Sequence, residues 1–114
     1  MDKPEVKNKL LVVGTDSRLS YLLNRYADQC GMTIAETPVL PPMVEIQETN
    51  PSAIIFQSLD ALRESHAWII GFSDLDIQIF VCVAVAEEAA ARELGADDCL
   101  FHPLTYEGFC RSFQ

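Results

Sequence analysis

Leu10-Leu11-Val12-Val13 is apolar at every position, the pattern of a strand covered on both faces rather than one with a solvated side. Behind it Leu19, Leu22, Leu23, Tyr26, Ala27 and Cys30 recur at helical spacing. Asp16 and Ser17 are candidate N-caps for that helix, and Gly31 is its C-terminal stop. The unit then repeats. Met32 to Glu36 predicts a second strand, and after the breaker Pro38 to Pro42 there is room only for a short helix, Met43 to Glu48. Pro51 opens a third strand over Ala53 to Gln57, and a helix follows from about Asp60 to near Gly71. Ile77 to Val83, rich in β-branched residues, predicts a fourth strand, and Ala86 to Leu94 a helix of high intrinsic propensity. Cys99 to Phe101 makes a fifth strand. Thr105 then caps a last helix with Tyr106, Phe109, Cys110 and Phe113 on one face.

Five buried strands alternating with amphipathic helices require an α/β fold, a parallel sheet with helices on both faces. For five strands the expected order is the flavodoxin-like 2-1-3-4-5, and its functional crevice lies beyond the carboxyl ends of the strands, near the switch point between strands 1 and 3. The residues due there are Gly14, Thr15 and Asp16 after strand 1, Gln57 and Ser58 after strand 3, Cys82 or Val83 on strand 4, and His102 after strand 5.

Length and composition narrow this further. With 114 residues, 49% of them hydrophobic, and only five Gly and six Pro, the chain is expected to fold as one domain over residues 9–114, behind a polar tail at 1–8. That tail has no signal-peptide pattern, and the longest apolar run, around Ile77 to Ala86, is far short of a membrane span. A cytoplasmic, non-membrane protein is expected. The net charge is −9, and from Glu36 to Ala91 nine acids face the single base Arg63. Such a surface repels a phosphate backbone, so nucleic acid is not an expected partner; solubility, or a basic protein partner, accounts for it better. Cys30, Cys82, Cys99 and Cys110 have neither CxxC nor metal-like spacing and read as small buried apolar residues, with no disulfide framework and no metal or other cofactor.

Two segments carry more specific information: Leu10 to Arg18, LLVVGTDSR, and Gly95 to Pro103, GADDCLFHP. Together they resemble the response-regulator receiver domain, whose members usually read ILVVDDx and GADDYLxKP at these places. The resemblance spans nearly the whole chain and is weakest from Pro38 to Asp76. It implies that Gly14 and Thr15 stand on the acidic pair that holds Mg²⁺ and Gln57 on the phosphoacceptor Asp. It likewise sets Cys82 on the Ser/Thr, Cys99 on the aromatic switch position and His102 on the Lys. None of these exchanges keeps the chemistry. An amide is not the carboxylate nucleophile that an aspartyl phosphate requires. Glycine and threonine offer Mg²⁺ no anionic oxygen, which leaves Asp16 as a lone carboxylate. A free imidazole, unlike a lysine ammonium, is mostly neutral at pH 7.

The resemblance therefore implies a degenerate pseudo-receiver: no enzyme, no catalytic residue and no metal, but a phosphorylation-independent interaction or regulatory module of two-component-type signalling. Its implied interaction face, formed by helix 4, strand 5 and helix 5, carries Glu87, Glu88, Arg92, Phe101, Tyr106 and Arg111. The partner would be a protein (a signalling protein, kinase or output domain), with a homodimer as a further possibility. A second reading is a small-ligand or anion sensor using the crevice around Gly14, Gln57 and His102. A third keeps phosphotransfer, with Asp16 or Asp60 as substitute acceptor.

Other constellations read more simply. GTDS at Gly14 to Ser17 lacks the glycines of a dinucleotide site and the Gly-Lys of a phosphate loop, which favours a plain strand-to-helix turn. Cys82 and Cys99 are expected on neighbouring strands but at opposite ends of them, too far apart to bridge. His66 has no second His at ligand spacing, and Asp97-Asp98 reads as a turn and cap feature rather than a calcium site.

Overall fold

The computed structural model describes residues 9–69 and 76–113; the expected tail at 1–8 and the expected helix end near Gly71 lie outside these. The elements are β1 (Lys9–Val13), α1 (Ser17–Gln29), β2 (Thr33–Thr37), α2 (Met43–Thr49), β3 (Ala53–Phe56), α3 (Leu59–Ile69), β4 (Gln78–Val83), α4 (Glu88–Glu93), β5 (Asp98–Phe101) and α5 (Tyr106–Ser112). The strands form one parallel sheet in the order β2-β1-β3-β4-β5. Expected and observed order agree.

The apolar runs are continuous because successive residues of each strand enter different cores. Leu11, Val13, Ile54, Phe56, Ile79, Val81, Val83 and Cys99 pack on one side of the sheet with Ile46 of α2, Leu62 and Ile69 of α3 and Ala91 of α4. Leu10, Val12, Ala53, Ile55, Phe80, Cys82 and Leu100 pack on the other with Leu19, Leu23 and Ala27 of α1 and Phe109 of α5. A period-2 side-chain alternation with both faces covered leaves no polar position in β1 after the exposed Lys9, in β3 or in central β4. The edge strand β2 differs, and it keeps Thr33, Ala35 and Glu36 exposed.

Helix ends follow local chemistry. Asp16 caps α1 by accepting from the Leu19 N–H at 3.1 Å. After α1, Met32 N–H bonds the Ala27 carbonyl at 2.8 Å and Gly31 N–H the Asp28 carbonyl at 3.2 Å, with Gly31 at φ +77°. Gly95, at φ +107°, repeats this closure after α4: Ala96 N–H bonds the Ala91 carbonyl and Gly95 N–H the Arg92 carbonyl, both at 3.1 Å. Both are Schellman ends, which need a left-handed residue just past the helix.

Several boundaries move by a residue or more. Ser58, not Asp60, opens α3, because its hydroxyl accepts from the Ala61 N–H at 3.1 Å. Met32 is spent on the helix closure, so β2 starts at Thr33. The run Ala86 to Leu94 is not one α-helix: Val85–Glu87 forms a 3-10 turn, in which the Glu87 carboxylate accepts from the Ala84 N–H at 2.9 Å, and α4 proper begins at Glu88.

Phe109, fully buried, is the main anchor of α5 on the sheet. Phe109→Ala is expected to cost about 3–5 kcal/mol, read from the midpoint of a denaturant titration at unchanged slope. A loss under about 1 kcal/mol would mean that α5 is not held by this side chain.

Candidate functional site

The loops that follow β1 and β3 meet at the switch point of the sheet. Gly14 N–H extends the β1–β2 ladder to the Thr37 carbonyl at 2.9 Å, and Gln57 N–H extends β3 to the Val13 carbonyl at 2.9 Å. These bonds place Gln57 beside Gly14, with the start of α1 above both. Gln57 is the largest polar side chain buried in the described structure, 5% exposed.

A buried carboxamide must find partners, and this one does. Its Oε1 accepts from the Asp16 N–H at 2.7 Å, while Nε2 donates to the Asp16 carbonyl at 3.3 Å and to Ser20 Oγ at 2.8 Å. Gln57 thus pairs with both backbone polar groups of Asp16, much as a neighbouring strand would. It clamps the end of β3 to the first turn of α1.

Gly14 makes room for this clamp. Its φ is +147°, and a Cβ added there would lie 2.7 Å from Gln57 Cβ and 2.9 Å from Gln57 Cδ, inside contact distance. Only glycine meets both demands, on backbone and on space. Ser20 is the member of the cluster that the sequence reading did not include. It lies one helical turn beyond Asp16, so helix periodicity together with the buried Gln57 is the signal that would have found it.

The other expected members divide. Thr15 and Asp16 are exposed on the loop, and the Asp16 carboxylate is engaged as the α1 cap. A negatively charged cap sits where an anion would bind, so GTDS works as a strand-to-helix turn rather than an anion cradle. Val83 ends β4, while Cys82 turns inward onto the α1–α5 side of the sheet, 2% exposed. Burial, and after it the neighbouring Asp16 carboxylate and Cys99, pushes the Cys82 thiol up from 9.0 to about 12. Cys99 does not join the crevice. It is buried on the opposite face with Val81 and Ala91. His102 is exposed at the end of β5, its N–H bonded to the Val83 carbonyl at 3.0 Å, and its peptide bond to Pro103 is cis.

One geometric expectation needs correction. Cys82 and Cys99 are not at opposite ends of their strands: Cys82 lies opposite Leu100 and Cys99 opposite Val81, one step apart in register. What separates the two thiols is the sheet itself, since their side chains leave it on opposite faces.

The remaining polar residues are structural. The Asp97 carboxylate accepts from the Ile79 N–H at 2.8 Å, and Asp97 N–H returns to the Ile79 carbonyl at 2.8 Å, which sets the start of the β4–β5 pairing. Arg92 bonds the Asp97 carbonyl at 3.0 Å, Glu88 at 3.0 Å and Asp98 at 3.3 Å. His66 Nδ1–H donates to the Leu94 carbonyl at 3.0 Å, joining the ends of α3 and α4. Among the described residues no group of three or more His, Cys, Asp and Glu is placed to hold a metal ion. None of the described helices is long and apolar enough to cross a membrane.

The expected interaction face also divides. Glu87, Glu88, Arg92 and the half-buried Phe101 lie along α4 and β5, and Arg111 lines a groove of about 320 Å³ between β5 and α5 with Phe101, Thr105 and Gly108. Tyr106 does not belong with them. It sits on the far side of α5, its ring 5.8 Å from that of Tyr26 on α1.

No family model and no curated protein matches the sequence. Solved structures do match the fold. A response regulator receiver protein from Burkholderia phymatum superposes with TM-score 0.73 at 14% identity, over 94% of this chain and 92% of its own. The signal receiver domain of a response regulator from Bermanella marisrubri gives 0.70 at 17%, over 95% and 96%. An orphan response regulator of H. pylori gives 0.70 at 18%, over 95% and 96%. At these identities the likeness establishes the receiver-type, flavodoxin-like fold.

Two outcomes are expected at this site. Gly14→Ala should destabilise by about 2–4 kcal/mol through strain and overlap with Gln57, and Gln57→Ala by about 1–3 kcal/mol through lost pairing. The double variant should cost less than their sum, because truncating Gln57 removes the overlap with its Cδ, although that with its Cβ remains. Strict additivity in a denaturation cycle would refute the packing described. For Cys82 the folded thiol titrates above its unfolded value, so its contribution to stability is full below pH 9 and is lost as pH rises toward about 12. Cys82→Ala should flatten that part of the alkaline stability profile, and an unchanged slope would count against the buried thiol as its source.

Proposed function

We propose that residues 9–114 form a receiver-fold module that acts by protein contact and without phosphoryl transfer. The observation that carries this reading is the pairing of the Gln57 amide with Asp16, wedged against Gly14. If Gln57 stands at the receiver phosphoacceptor, as the sequence resemblance implies, then a neutral amide holds the place of the nucleophile. It is bonded into the loop that would otherwise present Mg²⁺ ligands. Replacing a cluster of facing carboxylates by an amide, a glycine and a threonine removes their mutual repulsion. The crevice becomes a fixed joint of the fold.

A module of this kind works through its surface. Arg92, held between Glu88, Asp98 and the Asp97 carbonyl, together with Phe101 and Arg111, gives the α4–β5–α5 side an ordered mixed-charge face. Its partner would be a signalling protein, a kinase or an output domain, or a second copy. With a net charge of −9, a basic protein surface is the favoured complement.

The test is an amide NMR titration with Mg²⁺ and then beryllofluoride, which mimics a phosphoryl group on an acceptor carboxylate. The spectrum is expected to stay unchanged. Shifts centred on Gly14, Asp16, Gln57 and His102 and spreading to β4 and β5 would overturn the reading, and the same experiment on Asp16→Asn and Asp60→Asn would identify a substitute acceptor.

A further inference from the structure

Cys30 and Cys110, expected from the sequence to be small buried apolar residues, are only partly buried and lie across the seam between α1 and α5. Tyr26 and Cys30 stand one helical turn apart at the end of α1, Cys30 as its C-cap; Tyr106 and Cys110 stand one turn apart on α5. Both helices pack on the same side of the sheet and return along parallel strands, so they run in the same direction. Tyr26 packs on Tyr106 with ring centroids 5.8 Å apart and on Phe109 at 6.1 Å. That register brings Cys30 alongside Cys110 one turn further on. The Cys30 and Cys110 thiols and the Tyr106 hydroxyl lie within interaction range of one another. Cys30 and Cys110 are partly exposed, whereas Cys82 and Cys99 are buried on opposite faces of the sheet.

We propose that Cys30 and Cys110 are an oxidisable dithiol that closes to a disulfide by exchange with low-molecular-weight disulfides. One protein thiol, as its thiolate, attacks a sulfur of the reagent. The reagent S–S bond breaks, a mixed disulfide forms, and the first small thiolate leaves and takes up a proton. The second protein thiolate then attacks the protein sulfur of the mixed disulfide and displaces the second small thiolate. Two electrons pass from the cysteine pair to the reagent, and its two halves leave as thiols carrying the two protons. Burial, and after it the neighbouring Cys110, raises the Cys30 thiol above its ordinary value, and the neighbouring Cys110 and Cys30 push the Tyr106 hydroxyl up to about 12. Cys30 is therefore not a pre-formed thiolate, and exchange depends on the closeness of the two sulfurs.

Closure would tie the end of α1 to α5 and link two residues 80 positions apart in sequence, so the unfolded ensemble loses much of its freedom. α5 is also one wall of the β5–α5 groove, so the bond would fix that wall in place.

The experiment is equilibration of the intact folded chain in glutathione buffers of graded oxidised-to-reduced ratio. Acid quench, maleimide alkylation and peptide mass mapping follow. The expected result is a single intramolecular Cys30–Cys110 linkage, with Cys82 and Cys99 alkylated only after denaturation. The thermal midpoint should rise by roughly 5 °C or more on oxidation and return on reduction. Cys30→Ser and Cys110→Ser should each trap glutathione on the remaining cysteine and lose the oxidation-dependent rise. Stable glutathionylation of the wild-type chain without linkage would overturn the proposal. So would a linkage formed only between molecules, or only in denaturant. Mapping of the wild-type chain decides the matter even if a serine variant folds poorly.

Discussion

A carboxamide buried at the junction of β1, β3 and α1 has no water to turn to, and the local backbone is arranged around that requirement. Gln57 takes both polar groups of Asp16 and the hydroxyl of Ser20. Asp16, fixed in this way, caps α1, and Gly14 leaves the space that the Gln57 side chain occupies. Four residues from three elements are thereby interdependent. In an open parallel sheet the switch point is the natural place for a ligand. Here a side chain of the protein itself fills the space beside Gly14.

The sheet sets the limits within which this joint works. Because each strand feeds two cores alternately, neighbouring residues in sequence have no shared surroundings. Cys82 and Val83 illustrate the point, as do Cys99 and Leu100. Two thiols one register step apart are held on opposite faces of the sheet, while two thiols 80 positions apart in sequence lie together across the α1–α5 seam. The aromatic layer of Tyr26, Tyr106, Phe109 and Phe113 sets that seam.

The polar residues of the short connections are mostly spent on the backbone. Asp97 satisfies Ile79, Glu87 satisfies Ala84, His66 satisfies Leu94, and Arg92 draws α4 onto the start of β5. Each closes a short connection in which unpaired N–H or C=O groups would otherwise be costly. The conspicuous Gly-Ala-Asp-Asp segment is thus a Schellman end followed by a strand-registering carboxylate. Its chemistry is that of folding.

Much of this architecture was legible from the chain alone. Burial on both faces demands uninterrupted apolar strands, and helical caps and glycine stops are local, so the five units, the sheet order and the arrival of Gly14, Asp16, Gln57 and His102 at one end followed from the pattern. Element ends were less legible, because Met32, Ser58 and Glu87 are claimed by hydrogen bonds that compete with simple periodicity. The sequence determined which residues could reach the crevice. Only the tertiary structure decided that Gln57 lies folded over Gly14 and that Ser20 completes its pairing. It alone decided that Cys99 and Tyr106 face away from the groups they were expected to join and that Cys30 meets Cys110. Periodicity encodes which face a residue takes along its own element, whereas these contacts depend on how two elements, distant in sequence, are rotated and aligned against each other.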